Sequence, residues 1–169
     1  TQMMETMNIT NTQLGMLTTV SGITAIIVNI PGGYVADKFD AKKTIVWSIS
    51  AMTIMTFLYA AFINSYTFAL GLWAIMPLAI LSYYPSLVKY INNMGGSDGA
   101  GQSFGNYYLF NGIAGALGNA IPLLVYSQTQ NFRLAIIALG AMTALATVLV
   151  VIFLDDEKQL AERGIVLRS

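Results

Sequence analysis

Residues 33–43 read GYVADKFDAKK and form the densest cluster of charge between two long apolar runs. Pro31, Gly32 and Gly33 lead into it, and such residues interrupt helices, Pro by losing a backbone donor and Gly by its conformational freedom. The stretch therefore reads as a short, tight connection between two membrane helices. Working outward, the remaining charges fall at Glu5, Lys89, Asp98 and Arg133 and from Asp155 onward. Between them lie uncharged runs of about 20 residues or more, enough to cross roughly 30 Å of hydrocarbon at 1.5 Å per helical residue. Five spans are predicted, at 14–36, 44–63, 68–91, 103–126 and 132–154. Each is expected to be helical, because a span must satisfy its backbone internally and none of these runs alternates as a barrel strand does.

Composition points the same way. With 56% of residues hydrophobic and 9% charged, the chain is far from globular usage, and lipid is its expected solvent. Cysteine and histidine are both absent, which removes disulfides, thiolate metal sites and the commonest general base. No cofactor or metal is implied, and no enzyme signature is found: Gly95, Gly96 and Gly99–Gly101 lack the lysine pattern of a phosphate loop. The basic residues form no patch for nucleic acid. Alternating the spans places Lys38, Lys42, Lys43, Lys89, Lys158, Arg163 and Arg168 on one side and only Arg133 on the other. The first side is thus expected to be cytoplasmic, with the 37–43 connection and the 155–169 tail on it.

Gly33, Asp37, Lys38, Asp40, Ala41, Lys42 and Lys43 together resemble the loop between the second and third helices of major facilitator superfamily transporters. Where that family usually carries Gly, between Phe39 and Ala41, this chain has Asp40. The resemblance implies an all-α integral membrane bundle in which these are spans two to six of an expected twelve. Residues 1–154 would then be a partial N-terminal six-helix half, and 155–169 the start of a central cytoplasmic linker. It further implies that Gly33, Asp37, Lys38, Lys42 and Lys43 form a gating motif. In this reading Asp37 stabilises the outward-facing state by bridging the halves, and the lysines hold the loop or anionic headgroups. The alternative is a solvated loop whose lysines only set topology. For Lys89, at the end of its span, snorkelling is the simpler use and pairing with this loop the other.

Helical spacing adds a reading of faces. Gly15, Thr18, Gly22, Ala25, Asn29, Gly33 and Ala36 recur at three and four residues on the first span, a stripe of small and polar groups expected to face protein. On the fourth, Gly101, Gly105, Tyr108, Asn111, Gly112, Gly115, Asn119 and Pro122 share a face, opposite Phe110, Ile113, Leu117, Ile121 and Leu124, the expected lipid side. The second and fifth spans are more uniformly apolar, and the resemblance makes them peripheral. Pro77 and Pro85 predict local bending of the third.

Polar groups at membrane depth are functional candidates, so Asn29, Tyr83, Tyr108 and Asn111 are candidate substrate-cavity residues. Interhelical hydrogen bonding is the alternative for the asparagines, and aromatic packing for Tyr83, Tyr84 and Trp73. Relatives often carry a Glu and an Arg-Gly where this chain has Tyr108 and Asn111-Gly112. No carboxylate or arginine lies mid-span, so no proton relay is visible. The expected function is secondary active or facilitative transport of a small solute by alternating access. The partners are the bilayer, the solute and a C-terminal half of the same chain, in the plasma membrane. A non-transporting polytopic sensor or assembly factor of the same fold is the alternative.

Overall fold

The structure, a computed structural model, describes residues 2–95 and 99–164. Gly96 and Asp98 of the Gly-rich connection and Arg168 of the tail lie outside them. Within the described residues the chain folds into eight helices. They are α1 (Gln2–Met7), α2 (Asn11–Lys38), α3 (Ala41–Ala61), α4 (Tyr66–Ile80), α5 (Tyr83–Gly95), α6 (Ala100–Thr129), α7 (Phe132–Phe153) and α8 (Glu157–Glu162). Five helical stretches are long and apolar enough to cross a membrane, with α4 and α5 together making the third.

Helix starts follow local chemistry. Thr10 opens α2 with a reciprocal capping box to Gln13. Asp40, Ser65 and Asn131 then accept hydrogen bonds from the amides of Lys43, Phe68 and Leu134, opening α3, α4 and α7. A side-chain acceptor at this position satisfies one of the orphan donors of the first turn.

One expectation is overturned at Pro31-Gly32-Gly33, which does not break the helix. α2 runs through all three residues to Lys38, and only Phe39 and Asp40 separate it from α3. Gly33, Asp37 and Lys38 are therefore helical, and Lys42 and Lys43 lie in the first turn of α3. The physical reason is packing. Gly32 is buried, and a Cβ there would collide with the backbone carbonyl of Leu81. Glycine is present for close approach, not for a turn, and spanning helices tolerate Pro where neighbours resatisfy the backbone.

Leu81 and Ser82 are the break between α4 and α5. Pro85 has no N–H to offer the carbonyl of Leu81 four residues back, so that oxygen is released from the helical ladder. The Gly32 backbone sits against it, as in the Cα–H···O contacts that recur between helices. The ladder resumes at once, with Ser86 N donating to Ser82 O at 3.0 Å.

Most of the small-residue stripe of α2 is not the face that packs: Ala36 is buried, alongside Leu17, Val28 and Gly32 from outside the stripe, whereas Gly15, Gly22 and Asn29 lie open. Likewise, most of both expected faces of α6 is exposed, and Tyr107, Gly118 and Pro122, the last from the small-residue face, are half-buried on the side turned toward α5 and α7. The most extensive helix pair is α3 with α7. There Gly140 receives the Phe57 ring, and the Thr53 and Thr147 hydroxyls are hydrogen-bonded at 3.4 Å. Small residues and shared hydroxyls supply the close packing that hydrophobicity cannot supply between helices in lipid.

At the Lys-poor end, α1 folds onto a cluster of Met7, Ile9, Leu17, Tyr59, Ile63, Ala69 and Leu72. The Tyr59 hydroxyl donates to Met7 Sδ at 3.2 Å. Trp73 packs edge-on to Tyr59 at 6.4 Å, so it is a core residue here.

Replacing Gly32 by Ala is expected to lower thermal stability in detergent by an amount equivalent to ~1–3 kcal/mol of overpacking. Gly33→Ala, with open space at its Cβ, is the matched control and should leave the melting temperature unchanged or raised.

Candidate functional site

The end of the bundle that carries α2's last turn also collects the start of α3, the end of α5 and the segment after α7. Two charged side chains organise it. The Lys89 ammonium, on α5, donates to the carbonyls of Ala36 at 3.4 Å and Phe39 at 3.3 Å, the unsatisfied acceptors at the end of α2. The same ammonium pairs with Glu157 Oε1 at 2.9 Å, both side chains being mostly covered. A cation at a helix C-terminus satisfies free carbonyls and complements the macrodipole. Lys89 is thus a bridging residue, and the snorkelling reading is set aside.

Asp40 is the second organiser. Its Oδ1 accepts from Lys43 N at 3.0 Å to cap α3, and its Oδ2 accepts from Glu157 N at 2.8 Å, the first amide of α8. One carboxylate therefore serves two helix starts, which the Gly usual at this position in relatives would leave unserved. Asp156 completes α8 with a capping box to Gln159. The Tyr90 hydroxyl accepts from Asp155 N at 3.2 Å, and Asp155 pairs with Arg163 at 2.6 Å. The segment after α7 is consequently fastened to α3 and α5 at three points. Asp40 stood out in sequence only as a departure from the usual Gly; its capping role, like the roles of Tyr90 and Glu157, emerges from the structure.

The five motif residues fall into two groups. Gly33 and Asp37 lie one turn apart on α2, continuing a line from Asn29. Asp37 is exposed and has no hydrogen bond or ion pair among the described residues. Lys38 rests over the Tyr34 ring at 4.4 Å, a cation–π contact, while Lys42 is half-buried and Lys43 exposed.

The four candidate cavity residues are not brought into one site. Asn29 lies on the open face of α2, and no extended contact joins α2 to α6. Tyr83 lines a cavity of about 240 Å³ with Ser48, Met52 and Thr143, among α3, α4, α5 and α7. Tyr108 is exposed on α6, and its ring lies 5.2 Å from Tyr107 and 6.5 Å from Phe104. Asn111, one turn further on, is exposed. Asn119 donates to Gly115 O of its own helix at 2.8 Å, not to a neighbour. Among the described residues no cluster of His, Cys, Asp or Glu could hold a metal ion.

A family model described as Major Facilitator Superfamily matches residues 1–166. The chain belongs to the Major Facilitator Superfamily. No curated protein and no solved structure matches it. Membership makes it a multi-pass membrane protein of a transporter family, whose ligand is a small solute. It is also consistent with the all-helical bundle and with a charged connection after α2. This superfamily member differs from the usual loop pattern at Asp40, and the double cap is the structural consequence.

Asp40→Ala should release the α8 end. Losing a hydrogen bond to a charged acceptor, worth about 1.5–3 kcal/mol, should speed amide exchange at Glu157 roughly tenfold or more, with the Tyr59 cluster at the far end unaffected. Hydrogen exchange read by mass spectrometry checks both regions in one experiment.

Proposed function

We propose that the chain is part of a transporter working by alternating access, with the 37–43 connection and the 155–169 segment on the cytoplasmic face of a plasma membrane. Residues 1–154 act as most of an N-terminal half, rocking against a second half around a midplane site. The single observation that supports this best is the uncovered line Asn29, Gly33 and Asp37 on α2. Its carboxylate has no hydrogen bond or ion pair among the described residues, at the same end of the bundle where Lys89 and Asp40 are engaged with Glu157. A small-residue groove ending in a free carboxylate suits a surface that docks and undocks. Asp37 in this reading accepts hydrogen bonds from the open N-terminus of a facing helix in one state and is solvated in the other.

The solute site is assigned to the α6 face bearing Tyr108 and Asn111, both open and at the depth where polar side chains are functional. Asn29, on the open face of α2, and Tyr83, in the separate cavity among α3, α4, α5 and α7, are not part of this face. With no ionisable group on these faces above Asp37, the site selects by hydrogen bonding and stacking, and any coupling ion is handled elsewhere.

In reconstituted vesicles loaded with a solute library, Asp37→Asn should slow turnover roughly tenfold, the scale of a lost charge-assisted contact in one of two states, with insertion and expression unchanged. Unaltered flux kinetics would reject the docking role. Asn111→Leu should raise the apparent KM for the transported solute and leave the α8 exchange pattern as in the parent.

A further inference from the structure

The break between α4 and α5 falls near the middle of the spanning stretch Tyr66–Gly95, and polar atoms gather at it. Ser82 and Ser86, one turn apart at the head of α5, are 3% and 0% exposed, and neither hydroxyl has a hydrogen-bond partner among the described residues. Other hydroxyls of the bundle turn back onto their own helix: Thr24, Thr44, Thr53, Thr56 and Thr147 each donate to the carbonyl four residues earlier. The carbonyl end of α4 is open as well. Unlike the amides that close α2, α3 and α7, those of Leu81 and Ser82 make no backbone bond back into the helix, which leaves their ladder partners Pro77 and Leu78 without them. A cavity of about 240 Å³ reaches this level, with Ile80 and Tyr83, on either side of the break, sharing its wall with Ser48 of α3. Ser48 is itself 1% exposed. It lies about 10 Å into α3 from the Lys-rich end, and Ser86 about 14 Å from that end along α5, so the two packed helices bring their hydroxyls to a similar depth.

We propose that the break is a binding site for one sodium ion, held by the Ser48, Ser82 and Ser86 hydroxyls and the open carbonyls of α4. Buried polar atoms at membrane depth call for a partner, and these offer oxygen lone pairs, the ligands of a hard cation. A divalent ion would call for carboxylates, and Tyr66–Gly95 contains none, so the site suits a monovalent one. The unwound carbonyls and C-terminal ends of broken membrane helices coordinate sodium without a formal counter-charge, because the partial negative charge of the helix collects there. Lys89, one turn beyond Ser86, is paired with Glu157 at 2.9 Å, so its repulsion is offset. Under the transport reading above, and resting on it, the site supplies the coupling ion for which the α6 face has no group; the binding itself does not depend on that reading.

The test measures equilibrium binding of radioactive sodium to the intact protein in detergent, by scintillation proximity in a choline chloride background. One saturable site is expected, displaced alike by unlabelled sodium chloride and sodium gluconate. Ser48→Ala, Ser82→Ala and Ser86→Ala should each weaken it about tenfold or more, whereas Ser127→Ala, on the exposed end of α6, should leave it unchanged. Melting in choline chloride establishes that each variant is folded, and added sodium should raise the melting temperature of the parent and of Ser127→Ala but not of Ser86→Ala. The absence of saturable sodium binding in the parent would overturn the proposal, the hydroxyls then holding water alone. So would binding that survives the Ser82→Ala, Ser86→Ala double replacement. Saturable binding together with solute flux indifferent to a sodium gradient would overturn the coupling role and leave the site.

Discussion

The Lys89 ammonium is the contact on which the charged end of this bundle depends. It stands where α2 runs out of hydrogen-bond partners, and it meets the carbonyls of Ala36 and Phe39 while holding Glu157. Three chain segments far apart in sequence are joined through one nitrogen. Buried charge is costly unless paired and hydrogen-bonded, and the Lys89 ammonium is both, with Glu157 as its ion pair and two carbonyls as its acceptors. Asp40 extends the lattice by capping α3 and α8 together, so the connection after α2 and the segment after α7 share a carboxylate.

Below that lattice the same two helices, α2 and α5, are held by the absence of atoms. Pro85 releases the carbonyl of Leu81, and Gly32 leaves room for the backbone of α2 to lie against it. Neither residue explains the contact alone. Together they let a broken rod, α4 and α5, seat against a continuous one without leaving a backbone acceptor facing lipid. The α3–α7 pair follows a related logic, with Gly140 under Phe57 and two threonine hydroxyls between helices.

Much of this was legible in sequence because the bilayer imposes length and polarity. Uncharged runs gave the spanning helices, whereas the caps that open them, Thr10, Asp40, Ser65 and Asn131, came from the structure. Pro31-Gly32-Gly33 misled because the residue types that break a helix in water also permit close packing in a membrane. Only the position of the Leu81 carbonyl, set by a proline more than fifty residues away in sequence, separates the two uses. The small-residue stripes on α2 and α6 were readable as special faces, yet apart from Ala36 and Pro122 most of their residues stay uncovered and the described helices pack mainly through others. Tyr90 and Glu157 were invisible because their roles exist only once α5 and α8 meet.

What remains uncovered is as ordered as what is packed. The lines through Asn29, Gly33 and Asp37 on α2 and through Tyr108 and Asn111 on α6 stay open, while Lys89, Asp40 and Glu157 at the same end are engaged with one another. The account makes these lines the moving surfaces of a transporter whose rigid side is the Lys89 lattice. Placing a cysteine at Asn111 and alkylating it with a membrane-impermeant reagent, added to either side of oriented vesicles, tests that claim most directly. Labelling from both sides, shifted toward the Lys-rich side when Asp37 is replaced by Asn, is the predicted result. Labelling from one side alone, indifferent to Asp37, would contradict it.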